Sequence, residues 1–464
     1  MGKKLKIING DVFVGGELVK ADIIVADGVI KALLAPSGNE EFDGAVLDCA
    51  GRIILPGTID THVHIREPGS EKRETFLTGT AAAAAGGVTT IFEHPISNPP
   101  PFSPAILENR IRIAGPQLLV DCCFYGALGT ESIDNIPALH KAGVVAFKTF
   151  LQAPMPGRER EFEGLTISDD YNLHRAMTAA APYGVLLSYH AENDDIIQGA
   201  TARLQQEGRV DAKAHFESRP VISETECVAK LLHFAADTGA RLEICHVSSA
   251  KALALLKEAK KLGLPVIVET CPHYIFTSEE ESLPLGPLAK CNPPIRRKAD
   301  VERIWDYIND GTVDIIGSDH APYTKEEKER GYADIFKSPA GFPGLETRVP
   351  LLLDAVSRGK LSLAKMVELV CENPARLFGI DHRKGFIRPG LDADLLVVDM
   401  NRTHKVDKTK MYTKGRDVAG LYDGRELTGS ITRVLLRGKT IMRDGVVDMS
   451  LAGGGEIVRL RPEL

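Results

Sequence analysis

A short apolar run recurs eight times between residues 52 and 320. Each run is rich in β-branched or other apolar residues and ends abruptly in polar residues, and most are followed by a helical pattern. The runs are RIILPGTIDTHVH, GGVTTIFEHP, QLLVDCCFYGAL, AGVVAFKTFL, YGVLLSYHAE, ARLEICHVS, GLPVIVETCPHY and GTVDIIGSDHAP. Eight alternating strand and helix units predict an α/β fold, a (β/α)8 barrel of the TIM type.

Both ends of the chain have a different pattern. Residues 3–50 and 386–449 alternate apolar and polar positions and contain turn signals, which is typical of short strands and hairpins. Two separate segments of the same character predict one small β-sandwich domain that both termini build together. The predicted domains are the N-terminal part of the sandwich at 1–55, the barrel at 56–384 and the C-terminal part of the sandwich at 385–464.

The composition is that of an ordinary globular protein. The 464 residues are 44% hydrophobic and 26% charged, and the formal net charge is −7. The acidic balance gives no reason to expect nucleic acid, and no apolar run reaches the ~18–20 residues that a bilayer requires. No secretory signal follows the N-terminal lysines. Eight scattered cysteines without a C-x-x-C pair predict reduced, buried thiols and a cytoplasmic location.

Polar side chains that can bind metals stand at the ends of five predicted strands. The C-terminal ends of barrel strands face the active site, so these side chains should converge. Side chains two positions apart on a strand point to the same face, as the pair in THVH would. A single buried histidine or a capping aspartate is usually structural. Six such residues at matching positions predict a metal centre: His62, His64, Lys148, His190, His246 and Asp319.

Lys148 is the unusual member of this set. An unpaired ammonium in VVAFKTFL would be costly to bury and would repel a metal ion. Burial favours the neutral amine, which can add CO2 to give a carbamate with two oxygens. Four histidines and one aspartate are too many ligands for one tetrahedral zinc and too few for two, unless a bridging group is shared. A lysine that extends to solvent is the alternative.

The motifs DTHVHIREPG, FKTF, SYHAEN, ICHVSSA, NPPIR and GSDHAP resemble those of the cyclic amidohydrolases, which include dihydroorotases, allantoinases, hydantoinases and dihydropyrimidinases. The resemblance extends over nearly the whole chain. It implies a hydrolase of cyclic amides with two zinc ions, and a homo-oligomer, either a dimer or a tetramer. It implies that Asp319 accepts a proton from the attacking water and passes it to the leaving ring nitrogen. The implied zinc ligands are His62, His64, Lys148 as N6-carboxylysine, His190, His246 and Asp319.

Individual segments favour different members of this group. Arg66 and Asn292 resemble the dihydroorotase residues that hold a substrate carboxylate, whereas Ile96 and Tyr323 depart from the dihydroorotase pattern. EGRVDAKAHFESRPVISETECVAKLL resembles allantoinases, and GYADIFKSPAGFPGLETRVPLLL is closer to hydantoinases of five-membered rings. Ala153 stands where dihydropyrimidinases carry a tyrosine. The favoured function is hydrolysis of a five-membered cyclic ureide, a small molecule, with Arg66, Asn292 and Tyr323 as substrate-binding residues.

Three other functions stay open from the sequence. A dihydroorotase is the first, in which Arg66 would hold the substrate carboxylate. The non-functional interpretation of Arg66 is a surface ion pair with Glu67 or Glu71. A non-catalytic scaffold with the amidohydrolase fold is the second, although such relatives usually lose several ligands. The third is an amidase of open-chain N-acyl amino acids. The run KEEKERG at 325–331 is expected to be a solvated face.

Overall fold

The computed structural model describes residues 4–36, 41–154 and 157–460, so the outermost residues of the predicted domains lie outside the described part. Seven short strands come first along the chain. They are β1 (Lys4–Ile8), β2 (Asp11–Val14), β3 (Glu17–Lys20), β4 (Asp22–Ala26), β5 (Val29–Leu34), β6 (Ala45–Asp48) and β7 (Ile53–Pro56).

Eight parallel strands then form one sheet in chain order. They are β8 (Thr58–Val63), β9 (Val88–Glu93), β10 (Asp121–Ala127), β11 (Ala146–Phe150), β12 (Leu186–His190), β13 (Arg241–Ile244), β14 (Val266–Thr270) and β15 (Ile315–Ile316). A parallel bridge between Val63 and His320 joins the last strand to the first, and the N–H of His64 donates to the carbonyl of His320 at 2.9 Å. The predicted barrel is therefore confirmed.

Helices cover the outside of this sheet. Side-chain caps fix where several of them begin, for example Thr75 before the first, Asp169 before the fourth and Ser249 before the eighth. No described helix has both the length and the hydropathy to cross a membrane. The helices are α1 (Phe76–Ala85), α2 (Pro104–Ala114), α3 (Ile136–Lys141), α4 (Asp170–Ala180), α5 (Asp194–Gln206), α6 (Ala212–Ser218), α7 (Val221–Thr238), α8 (Ala250–Lys261), α9 (Glu279–Ser282), α10 (Lys298–Asn309), α11 (Lys325–Glu329), α12 (Leu345–Ser357), α13 (Leu363–Val367) and α14 (Asn373–Leu377).

The two ends of the chain share a second pair of sheets. The C-terminal strands are β16 (Leu395–Lys405), β17 (Glu426–Leu436), β18 (Lys439–Arg443) and β19 (Val446–Val447). One sheet has the order β5-β4-β1-β6, and the other has the order β19-β18-β17-β16-β7-β2-β3. Because β7 pairs with both β16 and β2, strands from the two termini are neighbours. Residues of both ends also form one buried apolar cluster, as the predicted sandwich requires.

A buried ion cluster connects the sandwich to the base of the barrel. The ammonium of Lys384 lies 2.6 Å from Asp394 Oδ2 and 2.8 Å from Asp392 Oδ2, and it also donates to Asp121 at the start of β10. Arg437 Nη1 donates to the same Asp121 carboxylate at 2.6 Å. Burial opposes this charge, but the three carboxylates together raise the pKa of Lys384.

Replacing Lys384 with methionine is expected to destabilise the protein by about 3–5 kcal/mol, because it leaves buried carboxylates without their main cation. Chemical denaturation followed by circular dichroism measures this as a lower midpoint. Lys439→Met, which changes an exposed lysine in the sandwich, is the control. Equal midpoints for the two variants would contradict the assigned role of Lys384.

Candidate active site

All six predicted metal-binding residues lie together at the C-terminal ends of the barrel strands. Each is at most 9% exposed. Five of them line one open cleft, together with Arg66, Asn292 and Tyr323. His246 (φ 40°) and Asp319 (φ 47°) have left-handed backbone conformations in the turns that follow β13 and β15. Such conformations are uncommon for non-glycine residues and cluster at functional sites.

His62, His64 and Asp319 form one half of the site. Oδ1 of Asp319 lies 3.2 Å from His64 Nε2 and 3.4 Å from His62 Nε2. The other ring nitrogen of His62, Nδ1, lies 2.7 Å from Glu269 Oε2 on β14. A carboxylate at Nδ1 fixes the orientation of the ring and leaves Nε2 directed at the centre.

His190 and His246 form the other half. His190 Nδ1 lies 3.0 Å from His246 Nε2, so these two nitrogens face each other. The remaining nitrogen of His190, Nε2, lies 2.8 Å from Glu192 Oε2. The four imidazoles thus form two pairs. In each pair one ring, that of His62 or His190, is oriented by a buried carboxylate.

Burial keeps these imidazoles neutral. It lowers the pKa of His62, His64 and His246 well below the ordinary value, and it also lowers the pKa of His190. A neutral imidazole has a free lone pair, which is the form that binds a metal ion. The two pairs therefore fit a metal pair.

Lys148 is completely buried and close enough to act electrostatically on all four histidines, so an extension to solvent is excluded. Its ammonium donates to Cys245 Sγ at 2.9 Å. Within residues 4–36, 41–154 and 157–460, no carboxylate forms an ion pair with it at 4.0 Å or less. A buried cation without a carboxylate partner next to a metal-binding pair is costly. These surroundings fit a lysine whose nitrogen carries a carbamate.

Two carboxyl groups beside the histidines have raised pKa values. Burial raises the pKa of Asp319 to about 8, although Lys148 opposes the shift. Burial likewise raises the pKa of Glu269 to about 7. A carboxyl group with a pKa near neutrality can both accept and donate a proton, which suits Asp319 to acid–base chemistry.

Arg66 and Tyr323 form one wall of the cleft. Arg66 is 2% exposed and does not form the surface ion pair with Glu67 or Glu71 that was one interpretation of the sequence. Its Nη2 lies 3.4 Å from the Tyr323 hydroxyl, while Nε and Nη1 are buried and have no hydrogen-bond partner among the described residues. Oδ1 of Asn292 is also buried without a described partner.

Tyr323 packs against three guanidinium groups. Arg73, Arg66 and Arg158 lie 4.9, 5.0 and 5.5 Å from its ring centroid. Burial opposes a phenolate, but the three cations together lower the pKa of Tyr323. Arg73 is paired with Glu161 and Glu327, and Arg158 is paired with Glu161, whereas no carboxylate of the described residues forms an ion pair with Arg66.

Several site residues were not predicted from the sequence. Glu269 is the single carboxylate within the apolar run VIVETC, and a charged residue in such a run is itself a signal of a buried functional group. Glu192 follows His190 by two residues, as His64 follows His62. Arg219 and His215 line the cleft from the segment around α6, far from any strand end. His94 stacks on His62 with the ring centroids 3.8 Å apart.

The chain has relatives of similar length. The L-hydantoinase of Paenarthrobacter aurescens is 33% identical over 445 residues, which cover 95% of each chain. The allantoinase of Rubrobacter xylanophilus is 34% identical over 452 residues, which cover 96% of each chain. The solved structure of the L-hydantoinase (dihydropyrimidinase) from Arthrobacter aurescens has a TM-score of 0.93 and 32% identity, and it covers 99% of this chain and 100% of its own. Residues 53–441 match the amidohydrolase family. The chain belongs to this family.

Proposed function

We propose that this protein hydrolyses a cyclic amide bond in a five-membered cyclic ureide, in the manner of a hydantoinase or an allantoinase. The observation that carries the proposal is that two pairs of neutral imidazoles, His62 with His64 and His190 with His246, line one cleft together with Asp319. The oxygen of water bonds to the ring carbonyl carbon, the bond from that carbon to the ring nitrogen breaks, and the nitrogen gains a proton. Similarity to an L-hydantoinase and to allantoinases over nearly the whole chain supports this assignment.

Two zinc ions and a carboxylated Lys148 belong to the same proposal. His62 and His64 would hold one ion, His190 and His246 the other, and the Lys148 carbamate both. When bound, the ions supply Lewis acidity toward water and toward the substrate carbonyl. Asp319 lies within 3.2 Å of His64 and lines the cleft, so its carboxylate can accept the proton of water and deliver it to the leaving nitrogen.

Initial rates on a matched substrate panel test the proposal. The panel contains hydantoin, both hands of 5-substituted hydantoins, allantoin and dihydroorotate, with open-chain N-acyl amino acids as the acyclic comparison. Zinc and bicarbonate are present throughout. We expect the highest kcat/KM for a hydantoin or for allantoin. Preference for an open-chain amide, or no hydrolysis by zinc-loaded protein, would reject the proposal and favour the amidase or the scaffold.

Dihydroorotate is the second candidate substrate, and one observation favours it. Two nitrogens of Arg66, Nε and Nη1, have no described partner, and Arg66 lines the same cleft as Asn292, whose Oδ1 also has none. Buried donors of this kind cost free energy unless a ligand satisfies them, and a carboxylate suits a guanidinium. Ile96, by contrast, argues against this substrate, because it lines the cleft and departs from the dihydroorotase pattern.

Replacing Arg66 with methionine tests this alternative. A hydrogen bond to a charged group contributes about 1.5–3 kcal/mol, so KM for dihydroorotate should rise on the order of 10–100-fold if Arg66 binds the carboxylate. KM for unsubstituted hydantoin should stay within about twofold. Arg158→Met is the matched control, because Arg158 lines the same cleft but is paired with Glu161. An unchanged KM for dihydroorotate in Arg66→Met would remove the argument for a dihydroorotase.

Three further properties stay predictions. All eight cysteines are buried and free, which fits a reducing compartment and hence a cytoplasmic location. Light scattering coupled to size-exclusion chromatography would distinguish the predicted dimer or tetramer from a monomer. The domain boundaries at 55/56 and 384/385 also remain to be tested.

A further inference from the structure

The second ring nitrogen of His190 is held by a group that plays no part in the hydrolysis described above. A neutral imidazole has one N–H donor and one acceptor nitrogen. Since His190 Nε2 faces Glu192 Oε2 at 2.8 Å, the proton belongs on Nε2. Nδ1 then keeps its lone pair and faces His246 Nε2. Glu192 therefore selects the tautomer in which His190 can bind a metal ion.

Glu192 in turn depends on Arg219. Glu192 is completely buried, and Nη1 of Arg219 donates to the same oxygen, Oε2, that accepts from His190. A buried carboxylate needs a cation partner to remain charged. Among the described residues, Arg219 is the only arginine that forms an ion pair with Glu192. Arg219 thus keeps Glu192 as an acceptor for His190.

Arg219 also reaches the substrate cleft. It lies between α6 and α7, and its backbone carbonyl accepts from Arg296 Nη1 at 2.6 Å, which fixes its position. Its Nη2 donates to Gln152 Oε1 at 3.3 Å, and both Arg219 and Gln152 line the cleft. A continuous set of contacts therefore runs from the cleft to His190.

The other half of the site is supported differently. Glu269, which orients His62, accepts from the Thr61 hydroxyl at 3.0 Å and from the N–H of His246 at 3.1 Å. Thr61 lies on β8 and His246 lies just beyond β13, so the barrel strands themselves hold Glu269 in place. On the His190 side, Nδ1 of His246 has no partner among the described residues, so Glu192 is the carboxylate that orients this pair.

We propose that Glu192 and Arg219 are positioning residues that set the metal affinity of the His190–His246 half separately from that of the His62–His64 half. The proposal rests on the two-metal centre of the proposed function. Loss of a partner to a metal-binding histidine typically costs 10–100-fold in metal affinity. The loss should fall on one of two ions and spare the other.

Metal titration of chelator-treated full-length protein tests this without any substrate. Cobalt, which suits the same nitrogen and oxygen ligands and has a visible spectrum, is added with bicarbonate present. Two binding steps are expected for the unaltered protein. In Glu192→Gln and in Arg219→Met one Kd should rise about 10–100-fold and the other should stay the same. Arg219→Lys restores a cation and should recover part of the loss.

Glu346→Gln is the control, because Glu346 on α12 is a carboxylate that accepts from the backbone N–H groups of Tyr412 and Thr413 instead of from a metal-binding histidine. Two unchanged Kd values in folded Glu192→Gln, or equal weakening of both, would overturn the proposal. If Glu192→Gln does not fold, the comparison of Arg219→Met with Arg219→Lys decides by the same criterion. A single binding step in the unaltered protein would instead reject the two-metal centre itself.

Discussion

Replacing Lys148 with alanine is expected to remove at least one metal ion and nearly all turnover. The carbamate on Lys148 is the proposed ligand shared by both ions. Its loss leaves one half with His62, His64 and Asp319 and the other half with only two imidazoles, which are too few ligands for a zinc ion. Lewis-acid stabilisation by a metal contributes several kcal/mol, so kcat should fall on the order of 10³-fold or more. Metal content by mass spectrometry and kcat on the preferred substrate measure the two effects.

Rescue distinguishes the missing ligand from a disturbed fold. Alanine leaves the space of the lysine side chain empty, and short carboxylic acids such as acetate or propionate should enter it and restore part of the activity. Lys148→Arg is the matched control, since a guanidinium fills the space and cannot form a carbamate. Full activity in Lys148→Ala, or equal rescue of both variants, would refute the shared carbamate. Protein loaded with ¹³C-bicarbonate should show a carbamate carbon by NMR only with Lys148 present.

The fold was largely predictable because its signals are local and repeated. Eight apolar runs, each buried along nearly its whole length, are what a parallel barrel requires. One detail was missed. The run RIILPGTIDTHVH contains two strands, β7 in the sandwich and β8 in the barrel, which separate at Gly57. A Cβ at Gly57 would lie 2.2 Å from Thr89 Oγ1, a tertiary contact that no local pattern contains.

The positions of the site residues followed from the topology, but their orientations did not. Strand ends meet at one rim, so a residue at the end of a strand can be placed there from the sequence alone. Which nitrogen of His62 faces the centre depends on Glu269 on β14, and which nitrogen of His190 does so depends on Glu192, whose own orientation is held by Arg219. The positive φ of His246 and of Asp319 likewise arises from the surrounding structure.

The charge run at 325–331 shows where composition misleads. Lys325, Glu326 and Glu329 are exposed as expected, but the prediction is wrong for Lys328, which is completely buried. Its ammonium donates to the carbonyls of Lys290, Pro339 and Gly341, and burial lowers its pKa to about 7. The loop around Gly341 lines the cleft. Its buried carbonyls need a hydrogen-bond donor, and the charge pattern of 325–331 does not indicate that Lys328 supplies it.

Asp319→Asn is expected to keep the fold and most of the metal while turnover falls 10²–10⁴-fold, the usual contribution of a general acid–base group. Asparagine keeps an oxygen near His62 and His64 but cannot accept and return a proton. Because the lost step includes proton delivery to the leaving nitrogen, a ring whose leaving nitrogen bears an electron-withdrawing group should lose less activity. The loss of kcat is measured for two substrates, one ring with the electron-withdrawing group on the leaving nitrogen and one ring without it, and the two losses are compared. Asp195→Asn, an exposed aspartate on α5, is the control. Retained turnover, or a loss equal for both rings, would mean that Asp319 serves only as a ligand, and proton transfer would then need another group in the cleft.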